Sequence, residues 1–121
     1  MRGVRVLLVD DNLLSSTRLV SALREQRDEV ETASTLEAGK EAASRSRWDI
    51  LLVNLTSAAF DAPTLIRTIR QDPQLRSLRI WGFCGHRDVT RRGAALAAGC
   101  DRVVANSQVM ADLPALLRRP P

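Results

Sequence analysis

Two adjacent carboxylates, Asp10 and Asp11, follow the apolar run Val4–Val9, and a single amide, Asn54, closes the run Asp49–Val53. Neighbouring carboxylates suit a hard cation, which takes oxygen ligands, or they form a solvated acidic turn that caps a following helix. An amide offers different chemistry. Its oxygen accepts a hydrogen bond or ligates a cation weakly, and its neutral nitrogen is a poor nucleophile. Cys84 follows a further apolar run, Leu78–Phe83, and Asn106 comes just after Val103-Val104. Cys84 is a candidate redox-sensing thiol. The sole histidine, His86, has no His/Cys cluster of metal-ligand spacing around it, and no nucleophile–base pair can be named, so the chain reads as non-enzymatic.

The apolar runs are the strands that must position these groups. Val4–Val9 is β-branched and short, and it stops at the turn cluster Asp10-Asp11-Asn12. Leu13, Thr17, Val20 and Leu23 recur at helical spacing and predict a helix over 13–26, capped by Asn12 or Ser15. The alternating segment Asp28–Ala33 predicts a more polar strand nearer a sheet edge. A helix to about Arg45 follows, with Gly39 an unfavourable interior residue. A third strand spans 50–54, and Pro63 suits the first turn of a helix that ends at Asp72-Pro73. Leu78–Phe83 is the fourth strand, Asp88 caps a helix that Gly99 ends, and Asp101–Val104 is the fifth strand. In the last helix, Ser107–Arg119, Pro114 either starts the helix late behind Asp112 or kinks it.

Five strand–helix units in succession predict right-handed crossovers and a parallel sheet covered on both faces. The expected fold is α/β: a flavodoxin-like (βα)5 doubly wound, five-stranded parallel sheet of order 2-1-3-4-5, with helices on both faces. That order brings Asp10, Asp11 and Asn54 to one end of the sheet, with Cys84 and Asn106 arriving from strands 4 and 5. Cys84 and Cys100 then fall at opposite ends of neighbouring strands, roughly 15 Å apart, too far for a disulfide.

The length of 121 residues predicts one domain, residues 1–119, with Pro120-Pro121 as a tail or the start of a linker. No run approaches the length of a membrane span and no leader segment is evident, so the cytoplasm is the expected compartment. The net charge of +4 is uneven: residues 1–61 carry 8 basic and 10 acidic side chains, and residues 62–121 carry 10 and 4. Arg87, Arg91, Arg92, Arg102, Arg118 and Arg119 cluster in sequence around the last two helices. They form either a solvated face or a surface for an anionic partner.

Val6-Leu7-Leu8-Val9-Asp10-Asp11-Asn12, Asp49–Leu55 and Ala98-Gly99-Cys100-Asp101, with the spacing of all five strands, resemble the receiver domain of bacterial response regulators across essentially the whole chain. The resemblance implies a two-component signalling function. In that family a carboxylate attacks a phosphoryl group, Mg²⁺ neutralises the oxygens, and a hydroxyl and a lysine hold the acyl phosphate. Asp10 and Asp11 match the acidic pair. Asn54 stands at the phosphoacceptor position, Cys84 at the hydroxyl and Asn106 at the lysine. Val103 replaces the aromatic switch residue and Ser107 the proline after the lysine. Ala58 and Ala62 stand where Pro and Gly are expected, while Asp61 fits.

The resemblance with these replacements implies a pseudo-receiver, a phosphorylation-independent protein-interaction module with no cofactor beyond a weakly held Mg²⁺. Its expected partner is a protein, or a second copy of the chain, on the face of helix 4, strand 5 and helix 5. Two alternatives stand beside it. One is a receiver-like domain answering to a metal ion or small anion at the acidic turn. The other is an Arg-rich nucleic-acid-binding domain, disfavoured because no helix-turn-helix is visible.

Overall fold

The computed structural model describes residues 3–118. Five strands, β1 (Arg5–Val9), β2 (Glu29–Ala33), β3 (Ile50–Asn54), β4 (Ile80–Cys84) and β5 (Arg102–Ala105), pair in the order β2-β1-β3-β4-β5. All four pairings are parallel. The helices α1 (Leu13–Glu25), α2 (Leu36–Arg45), α3 (Ala62–Gln71), α4 (Val89–Ala98) and α5 (Asn106–Arg118) follow their strands in turn. This is the flavodoxin-like doubly wound α/β fold predicted from the strand–helix alternation. No helix of the described residues is long and apolar enough to cross a membrane.

Burial explains the composition of the strands. β3 and β4 are buried at every position, whereas the edge strand β2 is buried only at Ala33. Alternate residues feed two cores. Leu7, Val9, Leu51, Val53 and Cys84 pack with α2, α3 and α4, and Leu8, Ile50, Leu52, Trp81 and Phe83 pack with α1 and α5. Gly39 in α2 is explained by a close approach: a Cβ there would lie 3.2 Å from Val9 Cγ2. Gly99 ends α4 in the left-handed region, at φ 116°.

Some boundaries differ from expectation, each for a local reason. β4 starts at Ile80 because the Leu78 carbonyl accepts from Arg70 Nη1, at 2.5 Å. The Ile80 N–H is taken by the Asp101 carboxylate at 2.8 Å, so Asp101 belongs to the turn and β5 begins one residue later. Both alternatives for Pro114 hold together. Asp112 is extended (φ −164°, ψ 79°), breaking α5, and its Oδ1 accepts from Ala115 N at 3.2 Å, capping the second segment. Arg119 and the Pro120-Pro121 tail lie outside the described residues.

Candidate functional site

The carboxyl ends of β1 and β3 adjoin, because Val9 pairs with Val53 in register. Asp10, one residue past β1, is 3% exposed, and Asn54, the last residue of β3, is 6% exposed. Asn54 Nδ2 donates to Asp10 Oδ1 at 2.9 Å, and the Asn12 N–H donates to the same oxygen at 2.9 Å. Ser15 Oγ donates to Asp10 Oδ2 at 2.5 Å. The amide oxygen of Asn54 accepts from Thr56 N at 3.0 Å and Thr56 Oγ1 at 2.7 Å. Asn12 caps α1 through the N–H groups of Leu14 and Ser15. Of the two capping candidates, Ser15 is therefore committed to Asp10.

Asp11 turns the other way. Its Oδ2 accepts from Ala58 N and Ala59 N, each at 2.9 Å, fixing the loop after β3. The Ala59 N–H is the largest reason its carboxyl sits below the ordinary 3.8, with Ser57 and Ala58 helping against a burial penalty. Asp61 caps α3 by accepting from the Thr64 N–H and hydroxyl, and that hydroxyl is the first cause of its lowered pKa.

The family resembled by the sequence uses Mg²⁺, and the arrangement does not fit one. Mg²⁺ demands near-octahedral oxygen ligands and draws on carboxylates. Both oxygens of Asp10 are occupied by donors, one oxygen of Asp11 is tied to the loop backbone, and the Asn54 oxygen is closed by Thr56. Among the described residues, no group of three or more His, Cys, Asp or Glu side chains is placed to hold a metal ion.

Asn54 and Asn106 do come together. They share a cavity of about 350 Å³ with Asn12, Leu14, Arg18, Phe83 and Met110. Cys84 is not in its wall. It is fully buried on the opposite face of the sheet, in the same cluster as Val103, Ala95 and Ala98. Burial raises its thiol pKa, and Asp88 adds to that against Arg92 and Arg91, so the site does not generate a thiolate. Cys100 Sγ lies 3.5 Å from the Ile80 carbonyl, at the start of β4, whereas Cys84 ends that strand, and both cysteines are free. His86 is exposed in the turn before α4.

The basic residues divide between the two ends of the sheet. Arg87, Arg91 and Arg92 sit at the start of α4, where Arg91 pairs with Asp88 at 2.8 Å. Arg102 lies over the Trp81 ring at 4.8 Å, and Arg118 pairs with Asp28 at 2.5 Å at the amino end of the strands. The described arginines therefore do not form one stripe.

Ser15, Arg18 and Thr56 were not singled out by sequence reasoning as site residues. Ser15, in the first turn of α1, and Thr56, two residues past β3, carry a local signal, since Ser and Thr hydroxyls readily form short-range hydrogen bonds at such turns.

The response regulator receiver domain family matches residues 6–118. No match is found among curated proteins. Among solved structures, the receiver domain of sensor histidine kinase PA1611 from Pseudomonas aeruginosa PAO1 superposes with TM-score 0.85 at 26% identity, over 97% of this chain and 96% of that one. That domain has a magnesium ion coordinated in its active-site cleft. Chemotaxis response regulator CheY4 of Vibrio cholerae gives 0.82 at 18% identity, over 96% and 98%. The signal receiver domain of a histidine kinase from Syntrophus aciditrophicus gives 0.76 at 19%, over 98% and 96%. With the family matched over nearly its whole length, this chain belongs to the response regulator receiver domains, the signalling modules of two-component systems.

Proposed function

We propose that this receiver domain is a pseudo-receiver, acting in signal transduction by protein contact without being phosphorylated. The observation that carries the reading is the state of Asn54. An amide occupies the acceptor position, donates to Asp10 and is closed by Thr56. A neutral amide does not form an acyl phosphate. Asn106 has no charge to hold a phosphoryl group, and positions 84 and 103 are packed as Cys and Val without hydroxyl or ring.

The contact surface we favour is the outer face of α4. Val89 is 72% exposed and Leu96 is 47% exposed, and they lie on one stripe with Arg92 between them at helical spacing. With Arg87 and Arg91 beside it, this face suits an apolar patch rimmed by acidic groups on a protein partner.

The test is incubation with Mg²⁺ and either acetyl phosphate or beryllofluoride. The expected outcome is no mass gain and an unchanged amide spectrum. A stoichiometric, acid-labile adduct overturns the reading. Asn54→Asp alone should not restore efficient labelling, since Asn106 and Cys84 remain.

A further inference from the structure

Pro114 stands four residues after Met110, so the Met110 carbonyl lacks the N–H that a continuous helix would supply. Its acceptor role is filled from another helix: Arg18 Nη2, on α1, donates to it at 3.3 Å. The contact is long and exposed, and among the described residues it is the one hydrogen bond Arg18 makes. Such a bond is cheap to exchange.

Arg18 also borders two cavities. One is the 350 Å³ cavity beside Asn54, and the other, of about 200 Å³, lies between α1 and the break in α5. Arg18 and Met110 line both, so their contact stands where the cavities meet.

The chemistry of the larger cavity is specific. Arg18 is its one charged lining residue, and Asp10 and Asp11 are not in its wall. Asn106, exposed at the start of α5, makes no side-chain hydrogen bond among the described residues and so offers an unused amide. Leu14 is 85% exposed and, with Met110 and Phe83, supplies apolar wall. The remaining lining residues, Asn12, Ser15, Asn54 and Thr56, are polar but already hydrogen-bonded around Asp10 and the α1 cap, which leaves one cation and one unused amide beside an apolar side, a set that does not suit a divalent cation. It also suits a compact dianion poorly, because a dianion needs more positive charge than one guanidinium.

We propose that this cavity binds a small organic monoanion, a carboxylate on an apolar body. Arg18 is its charge partner and Asn106 a second donor. In taking the ligand, Arg18 leaves the Met110 carbonyl, next to the break at Asp112, while Leu113, Leu116 and Leu117 keep the second half of α5 in the core. This gives the phosphorylation-independent domain an input, and it rests on that reading only in that position 54 stays unmodified.

The test is titration of the full 121-residue chain with benzoate, followed by amide NMR, beside benzyl alcohol as the uncharged counterpart and inorganic phosphate as the compact anion. Benzoate should give saturable shifts at Leu14, Ser15, Asn54 and Asn106, and with the same midpoint at Ala111 and Asp112, next to the Met110 carbonyl. Benzyl alcohol should bind about tenfold more weakly, and Arg18→Gln should weaken benzoate by about the same factor, as loss of a charge-assisted hydrogen bond requires. Absence of saturation by benzoate, equal binding of benzyl alcohol, saturation by phosphate in its place, or indifference to Arg18→Gln would each overturn the proposal. An acetyl phosphate adduct would sink the pseudo-receiver reading while leaving the titration to stand or fall separately.

Discussion

Asp10 and Asp28 are both buried carboxylates at strand ends, 3% and 5% exposed, and they are satisfied in opposite ways. Asp28, at the amino end of β2, has a full counter-charge. Its Oδ1 accepts from Arg118 at 2.5 Å and from Val4 N at 2.8 Å, yet its Oδ2 is buried with no partner among the described residues. Asp10, at the carboxyl end of β1, has no cation against it among the described residues, and neutral donors from Asn54, Asn12 and Ser15 occupy both oxygens. The amino end of the sheet spends charge on holding elements together: Arg118 fastens the last turn of α5 to the start of β2. At the carboxyl end the Asp10 carboxylate is held by an amide, a hydroxyl and a backbone N–H. The first arrangement is costly to break, and the second is costly to recharge.

The largest effect is expected from breaking the charged end. Arg118→Ala leaves the Asp28 carboxylate buried with only the Val4 N–H. Losing one partner of a buried pair costs several kcal/mol. The Arg118 side chain is 42% exposed and water can replace part of it, so the expected loss is about 2–3 kcal/mol. Urea denaturation at neutral pH reads this directly. A loss near zero would show that the two buried aspartates do not differ in the way described.

Recharging the neutral end comes next. Asn54→Asp removes the Nδ2 donor and sets a carboxylate against Asp10, where the present contact is 2.9 Å. The expected cost in metal-free buffer is about 1–3 kcal/mol, from a lost hydrogen bond to a charged group plus like-charge repulsion. Millimolar Mg²⁺ should recover part of it, since a third carboxylate completes a hard-cation donor set, and should do little for the parent chain. A variant as stable as the parent without Mg²⁺ would remove the argument that the amide quiets the acidic turn.

The two ends also differ in what sequence could tell. Asp10, Asp11 and Asn54 could be placed because each follows an apolar run of strand length, and the parallel order sends all such ends to one side. Position 84 was harder. Cys84 and Asn54 both sit at strand ends, but they project from opposite faces, and that depends on the register of β3 against β4, which pairs Asn54 with Phe83. The same register explains why Phe83, not Cys84, lines the cavity. Arg102 and Arg118 follow the α4 arginines in sequence, but strand starts and helix ends share the amino end of the sheet, so the five described arginines of the set do not converge. Pro114 marks the Met110 carbonyl as needing a donor. Nothing local says that Arg18, 92 residues away, supplies it. Distant partners of this kind are fixed by packing of α1 on α5, not by any pattern within either helix.

The smallest effect sharpens the contrast within the acidic turn itself. Asp11 is held by backbone N–H groups, of which Ala59 contributes most to lowering its pKa below the ordinary 3.8. A depressed folded-state pKa means that the stabilisation is complete above the unfolded value and is lost as pH falls through the folded one. The Asp11 carboxyl resonance and the amides of Ala58 and Ala59 should therefore titrate together, with one midpoint below 3.8. The loop after β3 should loosen only under more acid conditions than that. Asp11→Asn keeps an acceptor oxygen in place, so it should abolish the titration of those two amides while leaving the fold at neutral pH nearly unchanged. A midpoint at or above 3.8, or amides at 58 and 59 that ignore the titration, would mean that Asp11 is not committed to the loop. Its carboxylate would then be free to serve beside Asp10, and the carboxyl end of the sheet would keep more of its charge chemistry than the comparison with Asp28 allows.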